Sequence, residues 1–543
     1  MEPGTNFDVI VIGGGINGSG IARDAALRGL KVLLLDKTDI AAGATSWSSR
    51  LIHGGLRYLE HGEISLVHES LQERERLLHI APHIVFPLPL TLPIYGYHKR
   101  GPLKIRAGMI AYDLLSYNKS TPRHRMFSRS GALIHEPGLN PDGLQGAARY
   151  YDAQIVFPER LSVENMLDAV AHGTVVRNRA RVSDLVLEAG VVRGVRFVDE
   201  ADGQLHTVRG KTVVNVAGPW VDDVLTSAGV GLPDRPLVGM TKGTHIVVEP
   251  FAGAPADAIY IEARTDGRPY FIIPWNRLYL IGTTDDRYNG DPDLVVPGED
   301  EISYLLNETN FAIPEARLDR DSVRYAYAGL RPLPYQNNGL ESAITRRHII
   351  HDHAPLVSGL LSIVGGKLTT YRNLAEHTVN KVGKLLGRDL PKSTTGKVRL
   401  PGAPENMGAF VAAFHRERPN WLSEHSASYL VHVYGTRAGA VVELAERESA
   451  LREVISPTTG AIAATIVFSF TSEYASTLTD AIMRRSMIGY ATDAGFDALE
   501  GAATAMRLAS GWDEARASRE LAAHRRYMER FLPQRVAATS LSQ

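Results

Sequence analysis

Four chemically capable side chains crowd a glycine pair near the start of the sequence. In TSWSSRLIHGGLRYLE, residues 45–60, Arg50, His53, Arg57 and Tyr58 flank Gly54-Gly55. Glycine lets a backbone approach a ligand closely, and arginine offers planar, bidentate donors that suit a phosphate. Two more cations stand at similarly punctuated positions, Arg331 in GLRP and Lys367 in Gly365-Gly366-Lys367. A phosphate clamp and a structural ion pair are both open to each arginine, since structural networks also collect arginine. Lys367 is open to an exposed turn as well. A histidine near neutral pKa suits the work of a general base. His245 alternates with Ile246, Val247 and Val248 on an apparent strand, and His53 is its rival. A hydrogen-bonded structural role is open to both, and a lysine or an activated water could take the proton instead. Tyr58, and Tyr270 ahead of the FIIPW strand, either hydrogen-bond a substrate or pack.

The elements that must position these groups begin at residue 7. FDVIVIGGGINGSGIARDAALRGLKVLLLDK holds a β-branched run at Val9–Ile12, then Gly13-x-Gly15-x-x-Gly18. Helical spacing of Ala22, Ala25, Ala26 and Leu27 follows, then a second run, Val32–Leu35, ending in Asp36. This is the dinucleotide-binding βαβ fingerprint in its proper context: glycines for the turn, a helix N-terminus for a pyrophosphate, an acid for a ribose hydroxyl. The small, hydroxylated segment TDIAAGATSWSS, 38–49, suits a path along a cofactor. A second Gly-rich strand-to-helix junction at Gly365-Gly366 would aim a helix N-terminus at developing negative charge.

With 543 residues the chain exceeds one ordinary core, so two or three domains are expected. A net charge of −1 argues against a nucleic-acid binder. The absence of cysteine excludes disulfides, thiolate catalysis and Cys-ligated metals, and no metal site is assigned. No signal peptide is read, and the longest apolar run, near 460–470, is short of a membrane span. A cytoplasmic protein is expected. Prolines 82, 87, 89 and 93 break the pattern and mark the start of a cap domain. Strands with Gly turns over 175–216 read as a meander inserted in the nucleotide domain, and 236–345 as a strand-rich roof. From about Lys392 long helical patterns take over. The expected division is 1–81, 150–235 and 346–391 for the nucleotide domain, 82–149 and 236–345 for the cap, and 392–543 for a helical domain. Between His98 and Arg125, basic residues flank an apolar stripe of Ile105, Met109, Tyr112 and Leu115, with Ile110 and Leu114 alongside. A membrane-surface helix and a core helix are both compatible with it.

The opening stretch resembles the FAD-dependent glycerol-3-phosphate dehydrogenases, within the wider flavoprotein family of glycine and D-amino-acid oxidases. Collinear markers are VVNVAGPWVDDV, TKGTHIVV, FIIPW, IGTTD, AGLRPL, GGKLTTYRNLAEHTV and, towards the C-terminus, LTDAIMRRSMIGY. The resemblance implies a Rossmann-like α/β FAD-binding domain, a mixed-sheet cap and a C-terminal helical domain. It implies FAD as cofactor, sn-glycerol 3-phosphate as substrate, dihydroxyacetone phosphate as product and membrane quinone as acceptor. It also implies peripheral contact with the inner face of the cell membrane, and a homodimer is compatible with it. By resemblance, Gly13, Gly15, Gly18, Asp36, Ser46, Ser49, Arg50, Gly218, Gly366, Lys367, Leu368, Thr369 and Thr370 would contact FAD. Arg57, Tyr58, Tyr270, Arg331 and Lys367 would hold substrate, and His245, His53, Lys367 and Arg331 would serve catalysis. An oxidase using O2 and an amine or amino-acid oxidase of the same fold are the alternatives. A non-catalytic flavin protein is a further one, and the second Gly-rich junction disfavours a NAD enzyme.

Overall fold

In this computed structural model the chain is described over residues 6–59, 62–227, 229–230, 235–337 and 346–532, without the side chain of Arg57. The first apolar run forms β1 (Asn6–Ile12), buried after its first residue. α1 (Ile16–Leu27) connects it to β2 (Val32–Leu35), which pairs with β1 in parallel. On the other side of β1 lies the parallel strand Gln204–Asn215, then Leu360–Val364, with Ile349–Asp352 antiparallel at the edge. Strands of such a sheet are covered on both faces, so they read as unbroken apolar runs rather than alternating ones. α1 packs against helices Pro158–Ala171 and Tyr371–Leu385 through Ile21, Ala25, Met166 and Val379.

Among the described residues the second sheet has ten strands and is mixed. Its longest pairs are antiparallel, Val238–Val248 with Val323–Pro334 and Val85–Tyr95 with Leu144–Ile155. Val85–Tyr95 contains three of the prolines expected to break the pattern. Pro87, Pro89 and Pro93 share one parity, so their missing N–H groups fall on one edge of the strand. The neighbour on that edge meets only Leu90 and Thr91, whereas pairing with Leu144–Ile155 runs the full length. The boundary expected at 149–150 falls inside Leu144–Ile155, which belongs to the mixed sheet throughout. Helix Glu299–Ala312 interrupts the stretch read as strands. Its first turn carries Glu299, Asp300 and Glu301, which favour a helix N-terminus. Ile302, Leu305 and Leu306 cover one face of the mixed sheet.

Helices dominate from Met407 to Glu529. They share a core with the mixed sheet, where Trp275 and Tyr325 meet Leu478, Ile482 and Tyr490. Buried ion pairs tie them to the nucleotide domain: Asp39 with Arg484 at 2.6 Å and Arg485 at 2.7 Å, and Arg160 with Glu473 at 2.7 Å. The architecture is therefore α/β, with a Rossmann-like parallel sheet, a mixed-sheet cap and a helical C-terminal domain. Among the described residues no helix is long and apolar enough to cross a membrane.

Candidate active site

The three parts enclose a cavity of about 770 Å³. At one end is the turn between β1 and α1. Gly13 has φ +111°, and a Cβ there would stand 2.7 Å from the carbonyl oxygen of Val216. A Cβ on Gly18 would stand 1.8 Å from the carbonyl oxygen of Gly13, so Gly18 closes the turn from behind while Gly13 and Gly15 line the cavity. Asp36 lines it too, accepting from the N–H of Gly14 at 2.7 Å and of Thr38 at 2.8 Å. The hydroxyl run meets α1 through Thr45, whose Oγ1 accepts the N–H of Ile16 at 3.0 Å. Ser46 turns the other way and donates to the carbonyl of Ala41 at 2.7 Å, and it is not among the residues lining the cavity. Within a run of small hydroxylated residues, spacing does not say which side chain turns inward.

Arg50 also lines the cavity, with its guanidinium bound within the protein. Its guanidinium is fully buried and committed to Glu159 by two bonds of 3.0 Å, to the carbonyl of Val156 at 3.0 Å and to that of Ser46 at 3.2 Å. The rings of Trp275 and Tyr490 lie on it, each at 4.5 Å. It is a structural clamp between the loop and the C-terminal helices. The glycine pair beside it is also largely structural. A Cβ on Gly54 would meet the Tyr112 hydroxyl at 2.4 Å, and that hydroxyl donates to Asp152 at 2.7 Å.

At the far end of the cavity His53, Tyr58, His245, Arg331, Lys367 and Thr369 converge. Gly365 (φ +73°) and Gly366 (φ +98°) turn the chain there, and a Cβ on Gly366 would meet Leu374 at 2.9 Å. Lys367 Nζ lies 3.9 Å above the Tyr58 ring and 3.3 Å from Ser70 Oγ. Burial, with Arg346 adding, brings its pKa down from the usual 10.5 to about 7 against the pull of Glu63 and Glu69. His53 is lowered to about 4, chiefly by burial and further by Lys367. Its backbone N–H donates to Thr369 Oγ1 at 3.1 Å. His245 is held well below the ordinary value by burial, then by Arg331 and Arg50. Arg331 pairs with Asp285 at 3.0 Å and donates to Thr283 Oγ1 at 3.1 Å. Arg346, which the sequence reading passed over, shares that carboxylate at 3.2 Å and lines the cavity.

Over residues 8–372 the chain matches the family described as FAD dependent oxidoreductase, and over 393–517 the C-terminal domain of alpha-glycerophosphate oxidase. It is 45% identical to a glycerol-3-phosphate dehydrogenase of Synechocystis sp., covering 97% of each chain. The chain belongs to the FAD dependent oxidoreductase family. It is also 40% identical to the aerobic glycerol-3-phosphate dehydrogenase of Escherichia coli, over 81% of this chain and 87% of that one. The crystal structure of the Bacillus halodurans glycerol-3-phosphate dehydrogenase complexed with FAD superposes with a TM-score of 0.77 at 28% identity, covering 97% of this chain and 95% of that one.

The cavity fits the family's cofactor on its own terms. It is long enough to join Asp36 to Lys367, its glycines leave cradles that a Cβ would fill, and hydroxyls line the way between. Gly218 (φ +61°) and Leu368 also line it, whereas Thr370 is buried outside its wall. Tyr270 is elsewhere. It packs among Ile259, Ile272 and Leu305 on the face under helix Glu299–Ala312, whereas its neighbour Phe271 stands edge-on to His53. Successive strand residues face opposite ways, and spacing alone does not give the parity. The Arg57 side chain lies outside the described residues, and only its place in the turn Leu56–Leu59 is given. Thr477, Asp480 and Tyr527 of the helical domain complete the wall, and no spacing in the sequence signals them.

Proposed function

We propose that this chain oxidises sn-glycerol 3-phosphate to dihydroxyacetone phosphate and passes the electrons to a membrane quinone. The observation that carries the reading is the meeting of Arg331, Arg346 and Lys367 with two uncharged imidazoles at one end of a FAD-sized cavity. When bound, FAD supplies the two-electron acceptor for the hydride from C2. Arg331 and Arg346 hold the phosphate through charge-assisted bonds. Lys367, neutral in about half the molecules at pH 7, takes the proton from the C2 hydroxyl. His53 stays neutral beside it and hydrogen-bonds the same oxygen. Tyr58 carries the lysine on its ring face and limits its swing. The names of the relatives support the same substrate.

Helix Pro102–Leu115 supports the membrane side of the reading. Its stripe Ile105, Met109 and Tyr112 is buried against the core, so the stripe read from the sequence is a packing face. The outer face exposes Leu103 (84%), Leu114 (69%) and, just beyond, Tyr117 (76%), among exposed Lys104 and Arg106. Such a face suits shallow insertion into an anionic inner leaflet. For the domain division, the cap takes the whole of Leu144–Ile155 and the nucleotide domain resumes after it.

The test is anaerobic. Protein purified without added flavin is mixed with sn-glycerol 3-phosphate or with glycerol. Bleaching of a flavin band by the phosphorylated substrate alone supports the reading. A band untouched by either removes the substrate assignment. Peroxide formed in step with substrate under air would replace quinone by oxygen.

A further inference from the structure

Ser49 and His245 form a pair whose hydrogen-bonding groups are not all satisfied among the described residues. Ser49 Oγ lies 2.8 Å from His245 Nε2. The imidazole is otherwise enclosed. It is 2% exposed, stacked on Tyr327 at 4.9 Å, and so close to Gly282 that a Cβ there would meet it at 2.5 Å. Its Nδ1 is buried and, among the described residues, has no partner. The ring is uncharged in these surroundings, with one N–H and one lone pair to place. A buried N–H without an acceptor is the rarer and costlier orphan. Nδ1 therefore keeps the lone pair, and Nε2 carries the proton and donates it to Ser49 Oγ. The Ser49 O–H must then find an acceptor elsewhere, and the described residues give it none. Ser49 is half-buried and lines the cavity.

We propose that Ser49 is a preset hydrogen-bond donor to the isoalloxazine ring of FAD, with its direction fixed by His245. His245 is then a positioning residue that acts through Ser49 and does not touch the substrate. The position along the chain selects the ring over the rest of the cofactor. Thr45 stands at the N-terminus of α1, His53 stands beside Lys367, and Ser49 lies between them. Arg50 holds the serine in place. Its φ of +56° reverses the chain there, and the Glu159 pair anchors the reversal. The proposal rests on the FAD reading but not on the identity of the substrate.

The test compares holoenzymes of the wild type, Ser49→Ala, Ser49→Thr, His245→Phe and His245→Gln. The readouts are FAD stoichiometry, the visible spectrum and the midpoint potential from dithionite titration against redox dyes. None needs glycerol 3-phosphate, so they stay readable if that substrate is wrong. Ser49→Ala and His245→Phe should each lower the reduced-to-oxidised ratio at fixed potential by about tenfold, the weight of one hydrogen bond. Both should shift the visible band with FAD stoichiometry kept. Ser49→Thr and His245→Gln, which retain the hydroxyl and the orienting N–H, should restore both readouts. An unchanged spectrum and potential in Ser49→Ala would overturn the proposal.

Discussion

Lys367 should impose a break near pH 7 on kcat/KM. Burial lowers its amine from 10.5 to about 7, which corresponds to at most about 5 kcal/mol disfavouring the charged form, and less where solvent reaches the half-buried side chain. The unfolded chain keeps this proton up to about pH 10.5, whereas the folded chain releases it near 7. Stability therefore rises with pH between those values, and the burial cost is fully present below pH 7. Because kcat/KM reports the free enzyme, its logarithm should climb with unit slope below about pH 7 and level off above. In kcat the break should move upward, since bound phosphate favours the charged amine. The assay is anaerobic stopped-flow reduction of the bound flavin from pH 5.5 to 9. Lys367→Arg keeps a cation but holds its proton throughout, so it should lose about 10²–10⁴-fold in kcat and lose the break while retaining FAD. The second ionisation of the substrate phosphate, near pH 6, should persist in that variant and so be told apart. A break near 7 that survives in Lys367→Arg would refute the assignment, and a flat wild-type profile would refute the lowered amine.

Gly13→Ala should purify without flavin, because its Cβ would sit 2.7 Å from the Val216 carbonyl at a backbone angle that L residues rarely adopt; the flavin-to-protein absorbance ratio reports it. Arg331→Ala should raise the Michaelis constant for glycerol 3-phosphate at least tenfold while FAD content stays, and unchanged kinetics would remove it from the clamp. Arg50→Met and Glu159→Met should each cost about 3–5 kcal/mol by stranding a buried charge, and the double variant should cost less than either. Denaturant unfolding of the set checks this, and additive losses would contradict it. Leu103→Asp with Leu114→Asp should weaken binding to anionic vesicles at least tenfold, read by co-sedimentation, and leave flavin reduction in solution unchanged.

What was legible in the sequence follows the range of the interactions concerned. The β1–α1–β2 unit could be read because its turn, helix and buried strands are set by neighbours within thirty residues. Lys367, His53 and Arg331, which line the cavity, could be singled out by glycines next to or near them. The partners of Arg50 were not legible because the groups that neutralise and enclose it, Glu159, Trp275 and Tyr490, arrive from three distant stretches. Arg346 was missed for a related reason. Its place in the site depends on Asp285, which Arg331 also holds. Tyr270 and Phe271 differ only in strand parity, which sheet pairing decides. The proline-bearing strand Val85–Tyr95 is tolerated because one of its edges is almost unpartnered, and that is a property of the sheet and not of the segment.

The dispersal of the cavity wall has a consequence for how the protein is made. Its turn is complete by Gly18, but Gln204–Asn215 must emerge before β1 has a neighbour on that side, and Leu360–Val364 before that neighbour is itself covered. At about 5–20 residues per second, Lys367 follows the dinucleotide turn out of the ribosome by tens of seconds, and Asp480 comes later still. During that interval the nascent chain carries a nucleotide-binding turn with no pocket around it. Cofactor capture is thus a terminal step of biosynthesis, and a truncated chain carrying the whole fingerprint would leave the ribosome colourless.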